Sequence, residues 1–200
     1  FDMATWNMLF ETALRVKVSG FIVGTVPLPD EDSLALAARR GLVITDHHFN
    51  TLGVDTFRFP LASSEWDWDG RASTLAYLFQ GCIAAQSSYE MVWSVGIRGL
   101  NDYPYPCPND ATCGRIISEV IGNQTQWVKT ATPAGANATF ITYLWDEGVR
   151  YLQEGYLHLP DDVAVVFTDS GAGYINGDPA LFRQYGAGIY YHQAMYSGVG

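Results

Sequence analysis

The sequence predicts an α/β fold, a partial TIM (β/α)8 barrel of about six β/α units, and three observations predict it. Short apolar runs alternate with amphipathic helical patterns along the whole chain. Most runs are apolar without a polar alternation, as parallel strands covered by helices are. Nearly every run stops abruptly in polar, chemically capable residues, and parallel barrels carry their sites at the carboxyl ends of their strands. No G-x-G-x-x-G or phosphate loop follows a strand, which argues against a nucleotide-binding doubly wound sheet.

Taken in order, Trp6, Leu9, Phe10 and Ala13 share one face of a helix over 5–19, with Thr5 at its cap. Phe21–Val26 reads as a strand running into Pro27 and Pro29. Asp30, Asp32 or Ser33 then caps a helix that Gly41 stops. Leu42–Thr45 is the next strand and ends in Asp46-His47-His48-Phe49-Asn50. Ser63–Gly70 reads as a polar loop, followed by a helix over 72–86 with Leu75, Leu78, Phe79, Cys82 and Ile83 on one face. The run from Met91 to Ile97 delivers Arg98, Asn101 and Asp102. Ile116, Ile117, Val120 and Ile121 form a helical stripe ending near Gly122. Strand Thr139–Leu144 terminates in Trp145-Asp146-Glu147, and a helix with Val149 and Leu152 inward closes at Gly155. Val163–Thr168 ends in Asp169-Ser170-Gly171, and Gly186–His192 is the last strand. Six strands cannot close an eight-stranded barrel and the chain opens inside a helix, so residues 1–200 are expected to be a single, incomplete barrel domain, a fragment of a longer catalytic domain.

With 48% hydrophobic, 16% charged and 14% aromatic residues, the composition is that of a packed domain. A net charge of −10 argues against nucleic acid or an anionic membrane surface as partner. No segment is apolar for the roughly 18 residues a membrane helix needs. Cys107 and Cys113 flank a loop that a short disulfide would close, and Cys82 reads as a buried thiol. With the sequons at Asn123 and Asn137, this points to a secreted, extracellular glycoprotein.

Each candidate site residue also has a plain structural reading. Arg98 and Asp102 are either an ion pair closing a loop or the start of a site. His47 and His48 point to opposite sides in extended chain and lack metal-site spacing, so hydrogen bonding or substrate contact precedes metal ligation. Glu147 begins a helix, where the dipole alone favours a carboxylate. Asp169 sits in a Gly-rich turn that it would cap. Together they put an arginine, carboxylates, histidines and aromatics on one face. That set suits glycoside hydrolysis, with two carboxylates some 6.5–9.5 Å apart for an inverting reaction. Arg98 then remains for an anionic sugar, since a guanidinium grips a carboxylate bidentately.

Several segments together resemble glycoside hydrolase family 115: W-N-M-L-F-E-T-A-L-R at 6–15, His47-His48, G-I-R-G-L-N-D at 96–102, W-D-E at 145–147, L-P-D-D-V-A-V-V-F-T-D at 159–169 and G-A-G-I-Y-Y-H at 186–192. The resemblance runs in order along nearly the whole chain. It implies an inverting xylan α-1,2-glucuronidase, with a TIM-barrel catalytic domain inside a much longer, often dimeric protein. It implies no cofactor and no metal, and glucuronoxylan or aldouronic oligosaccharides as partners. Within it, Asp102 and Glu147 are the expected catalytic carboxylates. Arg98 meets the uronate, and His47, His48, Asn101, Asp169 and Tyr191 or Tyr196 are expected to line the substrate. Where the family often reads D-D-N, this chain has Asp169-Ser170-Gly171, and Leu100-Asn101 stand inside its R-G-x-x-D element. The family's upstream Asn–Asp/Glu element would precede Phe1, so the 200-residue piece is expected to be inactive alone. Two rivals stand beside this reading: a non-catalytic carbohydrate-binding relative, and a metal-dependent barrel hydrolase using His47, His48 and Asp169.

Overall fold

The structure, a computed structural model, describes residues 2–21, 31–171, 173–175 and 177–192. Six strands form one sheet in the order β1-β2-β3-β4-β5-β6, every neighbouring pair parallel. They are β1 (Gly20–Phe21), β2 (Val43–Thr45), β3 (Met91–Ser94), β4 (Thr139–Leu144), β5 (Val163–Thr168) and β6 (Gly186–Tyr190). Each crossover therefore moves one place in the same direction, the winding of a barrel and not of a doubly wound sheet. The helices are α1 (Met3–Arg15), α2 (Asp32–Arg39), α3 (Trp68–Gln86), α4 (Asp110–Ala131), α5 (Asp146–Gln153) and α6 (Pro179–Tyr185).

The two faces of the sheet differ. Phe140, Thr142 and Leu144 on β4, and Val163, Val165 and Phe167 on β5, are all buried. Residues between them, such as Ile141, Tyr143, Ala164 and Val166, are half-buried. One face thus packs the core with Phe79 and Ile83 of α3 and Ile116, Val120 and Ile121 of α4. The other is the half-covered inner face of a partial α/β barrel.

Several boundaries depart from the sequence reading. Asp2, not Thr5, caps α1: its Oδ1 accepts the Thr5 N–H at 2.8 Å. The strand expected over Phe21–Val26 is described only to Phe21, the remainder lying outside the described residues. Helix α3 starts at Trp68, inside the expected loop, because the Trp68 N–H finds a tertiary acceptor in the Tyr105 hydroxyl at 2.8 Å. Helix α4 runs nine residues past Gly122, since Gln124, Thr125 and Val128 continue its buried stripe. That burial outweighs the roughly 1 kcal/mol a mid-helix glycine costs. Helix α6 went unrecognised, although Asp178 caps it and Pro179 opens it. Cys82 is half-buried where a buried thiol was expected.

Candidate active site

The site gathers at the carboxyl ends of β2, β3, β4, β5 and β6, and its centre is Arg98. The peptide just before it is stitched down from two sides. Gly96 donates its N–H to Gln124 Oε1 at 2.7 Å, and its carbonyl accepts from Gln124 Nε2 at 3.0 Å and Thr51 Oγ1 at 2.8 Å. Trp66 Nε1 donates to the Arg98 carbonyl at 2.7 Å. Gln124 is fully buried, so neither partner has water as an alternative. The following residue must be glycine: a Cβ on Gly99 would stand 2.5 Å from the Pro104 carbonyl oxygen and 2.9 Å from that of Tyr103. Asn101 and Asp102 then take φ of 55° and 65°, left-handed backbone that L residues adopt at a cost. This strained turn brings Asp102 back onto Arg98.

Arg98 Nη2 donates to the Asp102 carbonyl at 2.9 Å, and Nε lies 3.3 Å from Asp102 Oδ1. Arg98 Nη1 lies 3.4 Å from Glu147 Oε1. The guanidinium carbon sits 5.5 Å from the Trp145 ring centroid, within cation–π range. One guanidinium so shared holds Asp102 Oδ1 and Glu147 Oε1 within about 9 Å of each other, a limit that spans the separations used by glycosidases. His48 Nε2 donates to Asp102 Oδ1 at 3.0 Å, and His48 Nδ1 is buried. Burial pushes the Asp102 carboxyl up, but the His48 hydrogen bond and the charges of His48, Arg98 and His47 outweigh it and hold the group below its ordinary value. Burial, helped by His48, drives the His47 imidazole down to about 4.

Aromatic rings floor this charged cluster. Tyr190 packs against His47, His48, Tyr143, Trp145 and His192, with ring centroids 5.0–6.2 Å apart. The His192 ring nitrogen Nδ1 donates to Asp169 Oδ1, and this bond holds the Asp169 carboxyl below its ordinary value. The Asp169 side chain has no exposed surface, and its partner among the described residues is His192. A small cavity of about 40 Å³ is lined by His48, Arg98, Trp145, Glu147 and Tyr151, space for a water molecule rather than a sugar.

The expected residues are thus sorted. Arg98, Asp102, Glu147, His47 and His48 converge, with Asp169 buried behind His192. Asn101 is exposed and spends its N–H on the Thr56 carbonyl at 3.2 Å. Tyr191 is 62% exposed and stands outside the ring cluster; strand alternation puts Tyr190 there in its place. Tyr196 lies outside the described residues. Trp145, Tyr143, Tyr190 and His192 were not among the expected site residues, although their places at strand ends were the available signal. Nothing local marked Trp66 or Gln124. Cys107 and Cys113 form a disulfide, Cα atoms 5.6 Å apart, tying the loop after Arg98 to α4. His48 is engaged by Asp102 and Asp169 by His192, and among the described residues no three His, Cys, Asp or Glu side chains could hold a metal ion together.

No curated protein matches the chain. Among solved structures, a family GH115 4-O-methyl-alpha-glucuronidase, BtGH115A, with specificity for decorated arabinogalactans, matches with a TM-score of 0.80 at 16% identity. The match covers 96% of this chain and 27% of that one, so the chain spans about a quarter of that protein's length. At this identity the likeness is one of fold. The model of glycosyl hydrolase family 115 matches residues 1–199, and the chain belongs to that family.

Proposed function

We propose that this chain forms the core of the active site of a secreted α-glucuronidase, part of one longer catalytic domain, that removes glucuronic acid or its 4-O-methyl form from α-1,2 branches of xylan with inversion. One observation carries the proposal: a single half-buried guanidinium sits between two carboxylates at the carboxyl ends of parallel strands, against an indole face. The guanidinium has five N–H donors, and these pairings leave donors on both terminal nitrogens for a uronate carboxylate. Asp102, kept ionised by His48 and Arg98, suits the base that takes a proton from the attacking water. Glu147 is then the acid: it protonates the glycosidic oxygen as the bond to C1 breaks, while the water oxygen adds to C1 from the opposite face. The disulfide and the exposed sequon at Asn137 support an extracellular location.

A second reading keeps the chemistry and changes the polymer. Because BtGH115A has specificity for decorated arabinogalactans, uronic acid branches of arabinogalactan are the alternative substrate. The test is to incubate the intact protein with glucuronoxylan and with glucuronidated arabinogalactan, and to follow released uronic acid by proton NMR from the first minutes. The proposal expects release from glucuronoxylan with the β-anomer formed first. Initial α-anomer contradicts inversion, release from arabinogalactan alone moves the substrate, and binding of both polymers without release assigns the chain to a carbohydrate-binding role.

A further inference from the structure

Two flat side chains and one cation stand exposed beside the site, and the hydrolytic chemistry uses none of them. Phe57 is 47% and Tyr103 70% exposed, and Arg58 is exposed with no ion-pair partner among the described residues. A solvated Phe on a loop tip normally has little reason to be held rigidly. Here the loop is held at several points. Asp55 Oδ1 accepts the N–H groups of Phe57 at 2.8 Å and Arg58 at 2.9 Å, a side-chain turn that fixes both residues outward. Thr56 Oγ1 donates to the Phe49 carbonyl at 2.9 Å, and the Thr56 carbonyl accepts the Asn101 N–H at 3.2 Å. The last bond ties this loop to the turn that carries Tyr103, itself closed by Gly99 N–H donating to the Tyr103 carbonyl at 2.8 Å.

The Phe57 ring is also the outer end of an aromatic path into the site. It lies 4.9 Å from Phe49, whose ring is 4.0 Å from His47 and 4.9 Å from His48, the partner of Asp102. Tyr103 follows Asp102 directly in sequence. Phe57 is thus joined through Phe49 to the histidines, and the Thr56–Asn101 bond brings its loop beside the turn that carries Asp102 and Tyr103.

We propose that Phe57, Arg58 and Tyr103 form an outer sugar-binding subsite that takes the main chain of the polysaccharide from which the uronic acid branches. This rests on the uronidase reading for the branch and adds where the rest of the polymer goes. Flat rings stack on the apolar face of a pyranose, and the Arg58 fork donates to its hydroxyls. Fixing the platform beforehand removes ordering cost from the binding of a flexible chain.

The test uses Phe57→Ala, Tyr103→Ala and Arg58→Ala in the intact protein, with two substrates: glucuronoxylan, which reaches the platform, and 4-nitrophenyl α-D-glucuronide, which does not. The expected result is a fall in kcat/KM on the polymer of about fivefold to tenfold per ring removed. Activity on the aryl glucuronide stays within twofold, and Phe57→Tyr restores polymer activity. Equal losses on both substrates, or none on the polymer, overturn the subsite. If the intact protein releases no uronic acid, the uronidase reading fails on its own, and retardation in gels containing glucuronoxylan decides the subsite. Retardation weakened by Phe57→Ala supports it, and unchanged retardation overturns it.

Discussion

His48 Nε2 lies 3.0 Å from Asp102 Oδ1, and this contact joins the turn after β2 to the turn after β3. The two residues are 54 positions apart in sequence, yet the bond helps to hold the Asp102 carboxyl below its ordinary value. His48 is 5% exposed and packed against Phe49 and Trp145. His48→Phe keeps that packing and removes the donor. The Asp102 carboxyl then loses the strongest of the influences that lower it, so its pKa rises. The acid limb of the kcat/KM profile is expected to move to higher pH, with kcat at the optimum about tenfold or more below the parent. An unmoved acid limb separates His48 from the state of Asp102.

Asp46 presents the opposite case. Its carboxyl is 1% exposed, and among the described residues neither oxygen has a partner within hydrogen-bond geometry, although the amide of nearby Gln86, bonded to the Leu52 and Cys82 carbonyls, pulls weakly against the effect of burial. Burial pushes it from an ordinary 3.8 to about 7. The folded state holds this proton across the window in which the unfolded state has lost it. The stability it confers is thus complete below pH 3.8 and lost as pH rises to about 7, with no further change above. The swing is about 4 kcal/mol. His47 works against it: with its value driven from 6.5 down to about 4, stability is lost as pH falls through that range. Asp46→Asn is expected to raise the urea midpoint at pH 8 and to leave a stability that climbs from pH 4 to 6.5. A midpoint at pH 8 equal to the parent's contradicts the buried-carboxyl account.

Gln124 is a positioning residue, fully buried and bonded to the Gly96 peptide. Gln124→Ala leaves the buried Gly96 N–H without an acceptor, at about 2–3 kcal/mol of stability. Because Gly96 is two residues before Arg98, KM for uronides is expected to rise more than kcat falls. Gln124→Glu reproduces both bonds to Gly96 only as the protonated acid, so it is expected to recover part of the stability at acid pH and to lose it as pH rises. Denaturation midpoints with steady-state kinetics check this, and a stability loss without any change in KM reduces Gln124 to packing.

How much of this was legible in sequence follows from which forces are local. The winding was legible because most strands are contiguous apolar runs, and β4 and β5 start and stop at the residues the pattern marks. The meeting of Arg98, Asp102 and Glu147 on one face was legible because each follows the end of a parallel strand. The place of Tyr190 was not, where Tyr191 or Tyr196 was expected, since one residue of register in β6 decides which ring turns inward. The roles of Trp66 and Gln124 were invisible for a different reason: their partners are backbone groups 32 and 28 residues away, and no local pattern encodes such a bond. The start of α3 at Trp68 failed for the same reason, its N–H being satisfied by Tyr105 from the next β/α unit.

The central claim is that Asp102 and Glu147, gathered by Arg98, perform the hydrolysis. Its most direct measurement is the rate of uronic acid release from glucuronoxylan by the intact protein carrying Glu147→Gln or Asp102→Asn, with folding confirmed by an unchanged circular dichroism spectrum. The account predicts that each variant lowers kcat by about a hundredfold to ten-thousandfold while the polymer is still bound. Release at the parental rate by either variant would contradict it.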